Sequence, residues 1–140
     1  IAEAVRDGAT LHYGGEAIDR PGAYMKPALL TNVGLDQDIS CKELFGPVVV
    51  IYKADSDEAA LRIANATDYG LQSSVWSGDT AKAERFARRI NAGMTLVNAH
   101  RESSPEWPFG GINRSGYGRE EGQWGLTAFT NEHAFRVHEA

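Results

Sequence analysis

VVVIYKADSDEAALRIANATDYGLQSSVWSGDTAKAERFARRINAGMTLVN, residues 48–98, carries the alternation that decides the fold. It opens on Val48-Val49-Val50-Ile51-Tyr52, a nearly continuous apolar run rich in β-branched side chains, the mark of a strand buried on both faces. Asp55, with Glu58 three residues later, reads as a capping-box-like start. It predicts a helix over about 57–66 with Leu61 and Ala64 on its buried side. Tyr69-Gly70 ends that segment, and Leu71–Ser77 alternates as a second strand. Asp79 or Thr80 can cap a further helix over about 81–91, with Ala83, Phe86, Ala87 and Ile90 as its apolar stripe. Gly93 suits the left-handed residue that follows a helix end, and Met94–Asn98 forms a third strand. Strand, helix, strand, helix, strand predicts an α/β fold, a largely parallel sheet with crossover helices.

Outward from this stretch the signals are shorter. Ala2, Val5 and Ala9 fall at helical spacing, with Gly8 as the stop; the sequence has no initiator Met and reads as starting mid-helix. Residues 11–33 predict an exposed strand, a loop at Arg20-Pro21-Gly22 and a second strand near Leu29–Val33. Residues 103–125, rich in glycine with Trp107 and Trp124, read as a loop or a set of turns. Ala134–His138 reads as a last strand, with Phe135 and Val137 on one face.

Composition removes several function classes. The chain has 140 residues, is 42% hydrophobic and carries a formal net charge of -5. An acidic chain lacks the positive field that nucleic acid or an anionic membrane surface requires, so neither is an expected partner. No run of 18 apolar residues occurs, and the N-terminus has neither the basic nor the apolar region of a signal peptide. Cys41 is the lone cysteine, which excludes an internal disulfide and fits a reducing, cytoplasmic setting. His12, His100, His133 and His138 show no metal-ligand spacing, so no metal is expected.

The chemistry sits on either side of the opening strand. Glu43-Leu44-Phe45-Gly46-Pro47 places a carboxylate and an aromatic ring at the mouth of a sheet. A carboxylate there can accept hydrogen bonds from sugar hydroxyls, and a ring can pack on a flat heterocycle. The same residues also read as a capped strand entry with a core Phe. Gly110–Gly118 reads as tight turns or as a phosphate cradle. No strand directly precedes it and no Lys-Ser/Thr follows it, so scaffold is the expectation.

Taken together, these segments resemble the C-terminal part of an NAD(P)-dependent aldehyde dehydrogenase. Lys42–Val48 is similar to the family's Glu-Leu/Ile-Phe-Gly-Pro-Val segment. Ala64–Leu71, Ala92–Asn98 and Pro108–Glu120 match three further family motifs in the family's order. Upstream, Gly14-Gly15, Gly22-Ala23-Tyr24 and Pro27-Ala28-Leu29-Leu30 also match, with Ala28 where the family usually has Thr. The resemblance implies that Glu43 binds the nicotinamide-ribose hydroxyls, that Phe45 lies beside the nicotinamide ring and that Phe109 lines the aldehyde tunnel. Arg101, Ser103 and Ser104 fill the stretch where the family chooses its aldehyde. With Glu106, Pro108 and Phe109, this stretch is similar to the loop of succinate-semialdehyde dehydrogenases. Arg101 can pair with a substrate carboxylate and the serines can donate to it; a solvated polar loop is the alternative.

In the family the nucleophilic cysteine, the general-base glutamate and the Rossmann motif all precede the Lys42–Val48 match. Cys41 is therefore expected to be structural, and no catalytic residue is expected in this chain. The implied complete enzyme oxidises an aldehyde through a thiohemiacetal on a cysteine, with hydride transfer to NAD or NADP. By itself the chain is expected to be inactive. Residues 1–131 would be the C-terminal portion of the catalytic domain and 132–140 an oligomerisation strand, with an aldehyde and further copies of the chain as partners. A non-catalytic folding or assembly module is the alternative.

Overall fold

The computed structural model describes residues 1–100 and 104–139, and the chain divides into two compact units, Ile1–Thr67 and Asp68–Ala140. In the first unit, helix α1 (Ala2–Arg6) stops at Gly8, whose φ of +102° no L side chain adopts cheaply. The residue that α1 buries is Ala4, not the expected Val5. Strands β1 (Thr10–Tyr13), β2 (Ala28–Thr31) and β3 (Val48–Val50) make one sheet, β1 antiparallel and β3 parallel to the central β2. Leu30 on β2 is fully buried and anchors a cluster with Ala4, Ala9 and Val33, against which Ile1, Ile39, Val48, Val50 and Tyr52 pack.

β3 corrects the expectation of a strand buried on both faces. Val48 and Val50 turn inward, but Val49 is 57% exposed, because β3 pairs on one side only and the core cluster covers one face. One-turn helix α2 (Asp38–Cys41), absent from the sequence reading, precedes it. Helix α3 (Asp57–Ala64) is capped by Ser56, whose hydroxyl accepts the Ala59 N–H at 3.1 Å, and not by Asp55. Ser56 is the residue next to the first helical one, where a side-chain oxygen reaches the third turn amide. Asp57 and Glu58 then complement the helix dipole. Leu61 is buried as expected; Ala64 is exposed.

In the second unit, β4 (Tyr69–Gly70) pairs antiparallel with β7 (Ile112–Asn113), and β5 (Gln72–Val75) pairs parallel with β6 (Met94–Val97). Helix α4 (Thr80–Ala87) connects the parallel pair and packs on both strands, with Ala83 and Ala87 buried. Asp79 caps it, accepting the Lys82 N–H at 2.9 Å. Thus the α/β class is observed, but the sheets are mixed: β2–β3 and β5–β6 are parallel, while β1–β2 and β4–β7 are antiparallel. The antiparallel partners come from loop and glycine-rich segments whose return direction periodicity does not report.

The tail holds a second correction. Helix α5 (Gly122–Thr127) lies where turns were expected, hidden by the low helix propensity of Gly122 and Gly125. Residues 131–139 form no regular element, and Phe135 is 82% exposed. No helix among the described residues is long and apolar enough to cross a membrane.

Candidate functional site

Glu43 and Phe45 occupy one loop of the first unit, between α2 and β3. Its entry is set by α2, whose Asp38 pairs with Lys42; that carboxylate, through its hydrogen bond and its charge, holds the Lys42 ammonium above its usual range. Its exit is set by Pro47. The Val48 N–H donates to the Gly46 carbonyl at 2.8 Å, and the Ala28 N–H donates to the Pro47 carbonyl at 2.8 Å, which ties the loop base to β2. Between these anchors Phe45 has φ +44°, a left-handed conformation that costs a phenylalanine about 1–2 kcal/mol. The residue is 92% exposed. This removes the core-Phe reading: the backbone holds an aromatic face toward solvent at a cost in strain. Glu43 is exposed and has no hydrogen-bond or ion-pair partner among the described residues. A free carboxylate acceptor and an open aromatic face, two residues apart on a pinned loop, are the groups that a hydroxylated sugar bearing a flat ring requires.

Cys41 lies on the last residue of α2, exposed, with Sγ donating to the Leu35 carbonyl at 3.4 Å. No side-chain base is bonded to the thiol among the described residues.

Phe109 and Ser104 lie in the second unit. The Phe109 N–H and carbonyl exchange two 2.8 Å hydrogen bonds with Glu120, and Phe109 is half-buried. Ser104 Oγ accepts the Glu106 N–H at 3.3 Å in a tight polar turn. Arg101 and Ser103 lie outside the described residues. The Gly110–Gly118 segment behaves as scaffold. A Cβ on Gly93 would meet the Gly110 carbonyl oxygen at 1.7 Å, and one on Gly111 would meet Ser115 at 2.5 Å. Gly93 is thus glycine for close backbone approach; the helix end it was expected to close is instead at Arg88, with φ -63°. The Ser115 and Gly116 amides are bonded to the Ile112 and Asn113 carbonyls, so a phosphate would find them taken. Ser115 Oγ accepts the Gly70 N–H at 2.9 Å, which ties the segment to β4.

Two contributors escaped the sequence reading. Arg119 Nη1 donates to the Gly111 and Gly118 carbonyls at 2.8 and 2.7 Å and braces the turn under Phe109. Asn98, read only as a strand end, grips the Ser77 backbone with both ends of its amide. An Arg inside a glycine-rich turn and an Asn after a strand are the available signals, but Gly111 and Ser77, which they bond, lie outside their immediate neighbourhood.

Comparison with known proteins extends over nearly the whole chain. The model of the aldehyde dehydrogenase family matches residues 1–135. A succinate-semialdehyde dehydrogenase [NADP(+)] of Deinococcus radiodurans is 40% identical over 137 residues, which is 98% of this chain and 29% of that protein. The crystal structure of succinic semialdehyde dehydrogenase from Streptococcus pyogenes in complex with NADP+ superposes with a TM-score of 0.91 at 43% identity, covering 99% of this chain and 30% of that one. A betaine aldehyde dehydrogenase from Staphylococcus aureus in complex with NAD+ gives 0.83 at 34% identity, covering 91% and 26%. The chain therefore spans under a third of the length of these relatives.

Proposed function

The chain belongs to the aldehyde dehydrogenase family, and from that premise we propose that it forms the cofactor-ribose contact and part of the aldehyde wall of an NAD(P)-dependent dehydrogenase acting on a carboxylate-bearing aldehyde such as succinate semialdehyde. The cofactor accepts the hydride. Glu43 accepts hydrogen bonds from the ribose hydroxyls and Phe45 packs on the nicotinamide, which together orient the ring. Phe109 lines the aldehyde channel, and Ser104, with Arg101 and Ser103, donates to the substrate carboxylate. The nucleophile is supplied from outside this stretch, and residues 132–140 serve assembly. NADP is favoured by the two relatives that act on, or are bound with, that cofactor.

The observation that carries this reading is the strained, exposed Phe45 beside the unpartnered Glu43. Its test is Glu43→Gln in the complete enzyme. An amide accepts a weaker hydrogen bond from a hydroxyl than a carboxylate does. The loss of a charge-assisted bond is about 1.5–3 kcal/mol, roughly 10- to 100-fold in the hydride-transfer rate. Because Glu43 is exposed, stability should stay within about 0.5 kcal/mol of the wild type. Unchanged single-turnover hydride transfer would remove Glu43 from the site.

A further inference from the structure

Gly46 stands between the strained Phe45 and Pro47, and nothing in this chain asks for glycine there. Of the fifteen glycines, seven have a positive φ, which a Cβ would strain. In six more, an added Cβ would lie within 3.1 Å of another atom of the chain. Gly46 and Gly78 are left. The Gly46 backbone is not left-handed, and a Cβ on it would touch only the Leu44 carbonyl oxygen at 3.6 Å and Met25 Sδ at 3.8 Å, ordinary contact distances. Gly46 also precedes a proline, a setting that favours the extended backbone open to every L residue. Glycine has a remaining use, which is to let a ligand or another chain segment come close to the backbone. Gly46 is placed for a ligand. It is exposed, as are all of residues 41–47. It follows Phe45, which a left-handed backbone presents to solvent. Its position is fixed, because its carbonyl accepts the Val48 N–H at 2.8 Å and the next carbonyl, that of Pro47, accepts the Ala28 N–H at 2.8 Å.

We propose that Gly46 is a further contact of the nicotinamide cofactor, its bare backbone letting the flat ring lie against the loop beside Phe45. This rests on the reading of Glu43 and Phe45 as the cofactor contact. A methyl at position 46 leaves the fold of the loop unchanged and lifts the ring from the place where Glu43 and Phe45 orient it. Hydride transfer needs the reacting atoms in near-attack contact, so a displaced ring reacts more slowly even while the rest of the dinucleotide stays bound.

The test uses the complete enzyme carrying Gly46→Ala. Gly78→Ala is the control, because a Cβ there meets nothing within 4 Å and the residue lies between β5 and α4 in the second unit. Three properties of each variant are measured. They are the thermal unfolding midpoint without cofactor, single-turnover NADPH formation with succinate semialdehyde, and the dissociation constants of NADP+ and of ADP-ribose 2′-phosphate, which lacks the nicotinamide. For Gly46→Ala the midpoint should stay within about 2 °C of the wild type. NADPH formation should fall about ten-fold or more, the effect of one overlapping methyl in a close-packed contact. NADP+ should bind about three- to ten-fold more weakly, and ADP-ribose 2′-phosphate should stay within about two-fold of the wild type. Gly78→Ala should match the wild type in all three. Unchanged NADPH formation by Gly46→Ala would overturn the contact. A lowered midpoint without cofactor would show that protein fills the space, and equal weakening of both ligands would put the contact away from the nicotinamide; either result refutes the proposal. Glu43→Gln, measured alongside, separates this inference from the reading beneath it. If Glu43→Gln slows hydride transfer and Gly46→Ala does not, Gly46 alone leaves the site. If neither slows it, the loop is not the cofactor contact and both readings fall.

Discussion

Gly93→Ala isolates the closest packing in the second unit. A Cβ built on Gly93 lies 1.7 Å from the Gly110 carbonyl oxygen and 2.8 Å from its carbon, both main-chain atoms that cannot rotate away. Side-chain carbons do not approach oxygen closer than 3.0 Å, so the two backbones would have to separate by about 1.3 Å. Neither is free to do so. The Gly93 N–H donates to the Gly70 carbonyl at 3.0 Å, and the neighbouring Phe109 is locked to Glu120 by two bonds. Overpacking costs about 1–3 kcal/mol, and a broken backbone bond adds about 1 kcal/mol, so a loss near 3 kcal/mol is expected. Trp76, Trp107 and Trp124 all lie in the second unit, so tryptophan fluorescence in urea reports its unfolding alone. With an m-value near 1 kcal/mol per molar, the midpoint should fall by about 3 M. Gly93→Asn should do at least as much harm. If Gly93 served only as a helix terminus, Asn would be the best-tolerated replacement. Gly78→Ala is the control, because a Cβ there meets nothing within 4 Å, and it should stay within about 0.5 kcal/mol of the wild type. A Gly93→Asn midpoint equal to that of Gly78→Ala would refute the close approach and restore the capping role.

Other outcomes follow from single contacts. Asp79→Ala should destabilise the second unit by about 1 kcal/mol, read by the same fluorescence transition, because it leaves the Lys82 N–H of α4 without its acceptor. Cys41→Ala should leave stability within about 0.5 kcal/mol and the activity of the complete enzyme unchanged, since the exposed thiol makes one long contact; loss of turnover would make Cys41 the nucleophile. Truncation after Asn131 should leave Leu61, Ala83 and Ala87 packed and lower the oligomer mass of the complete enzyme in light scattering, because it removes the exposed Phe135 and Val137; an unchanged mass would exclude the tail as the assembly strand.

What the sequence by itself determined is whatever a few adjacent residues decide. The β5–α4–β6 unit was legible because Asp79 bonds an amide three residues away and because Ala83 and Ala87 repeat at helical spacing. The family motifs were legible because contiguous residues carry them, and Glu43 and Phe45 belong to one of them. Their presentation was not legible. That Phe45 is open rather than core depends on the left-handed turn and on the tie from Pro47 to Ala28. Tertiary structure alone decided that β4 pairs with β7, that Val49 faces outward, that Ser56 and not Asp55 caps α3, and that Gly93 is glycine because Gly110 crosses it. It also turned Asn98 from a strand end into a clamp, since its acceptor and donor belong to Ser77. Capping and periodicity act over one helical turn or one strand, whereas the neighbour that covers a face, fills a gap or receives a hydrogen bond is chosen by chain segments that meet only on folding.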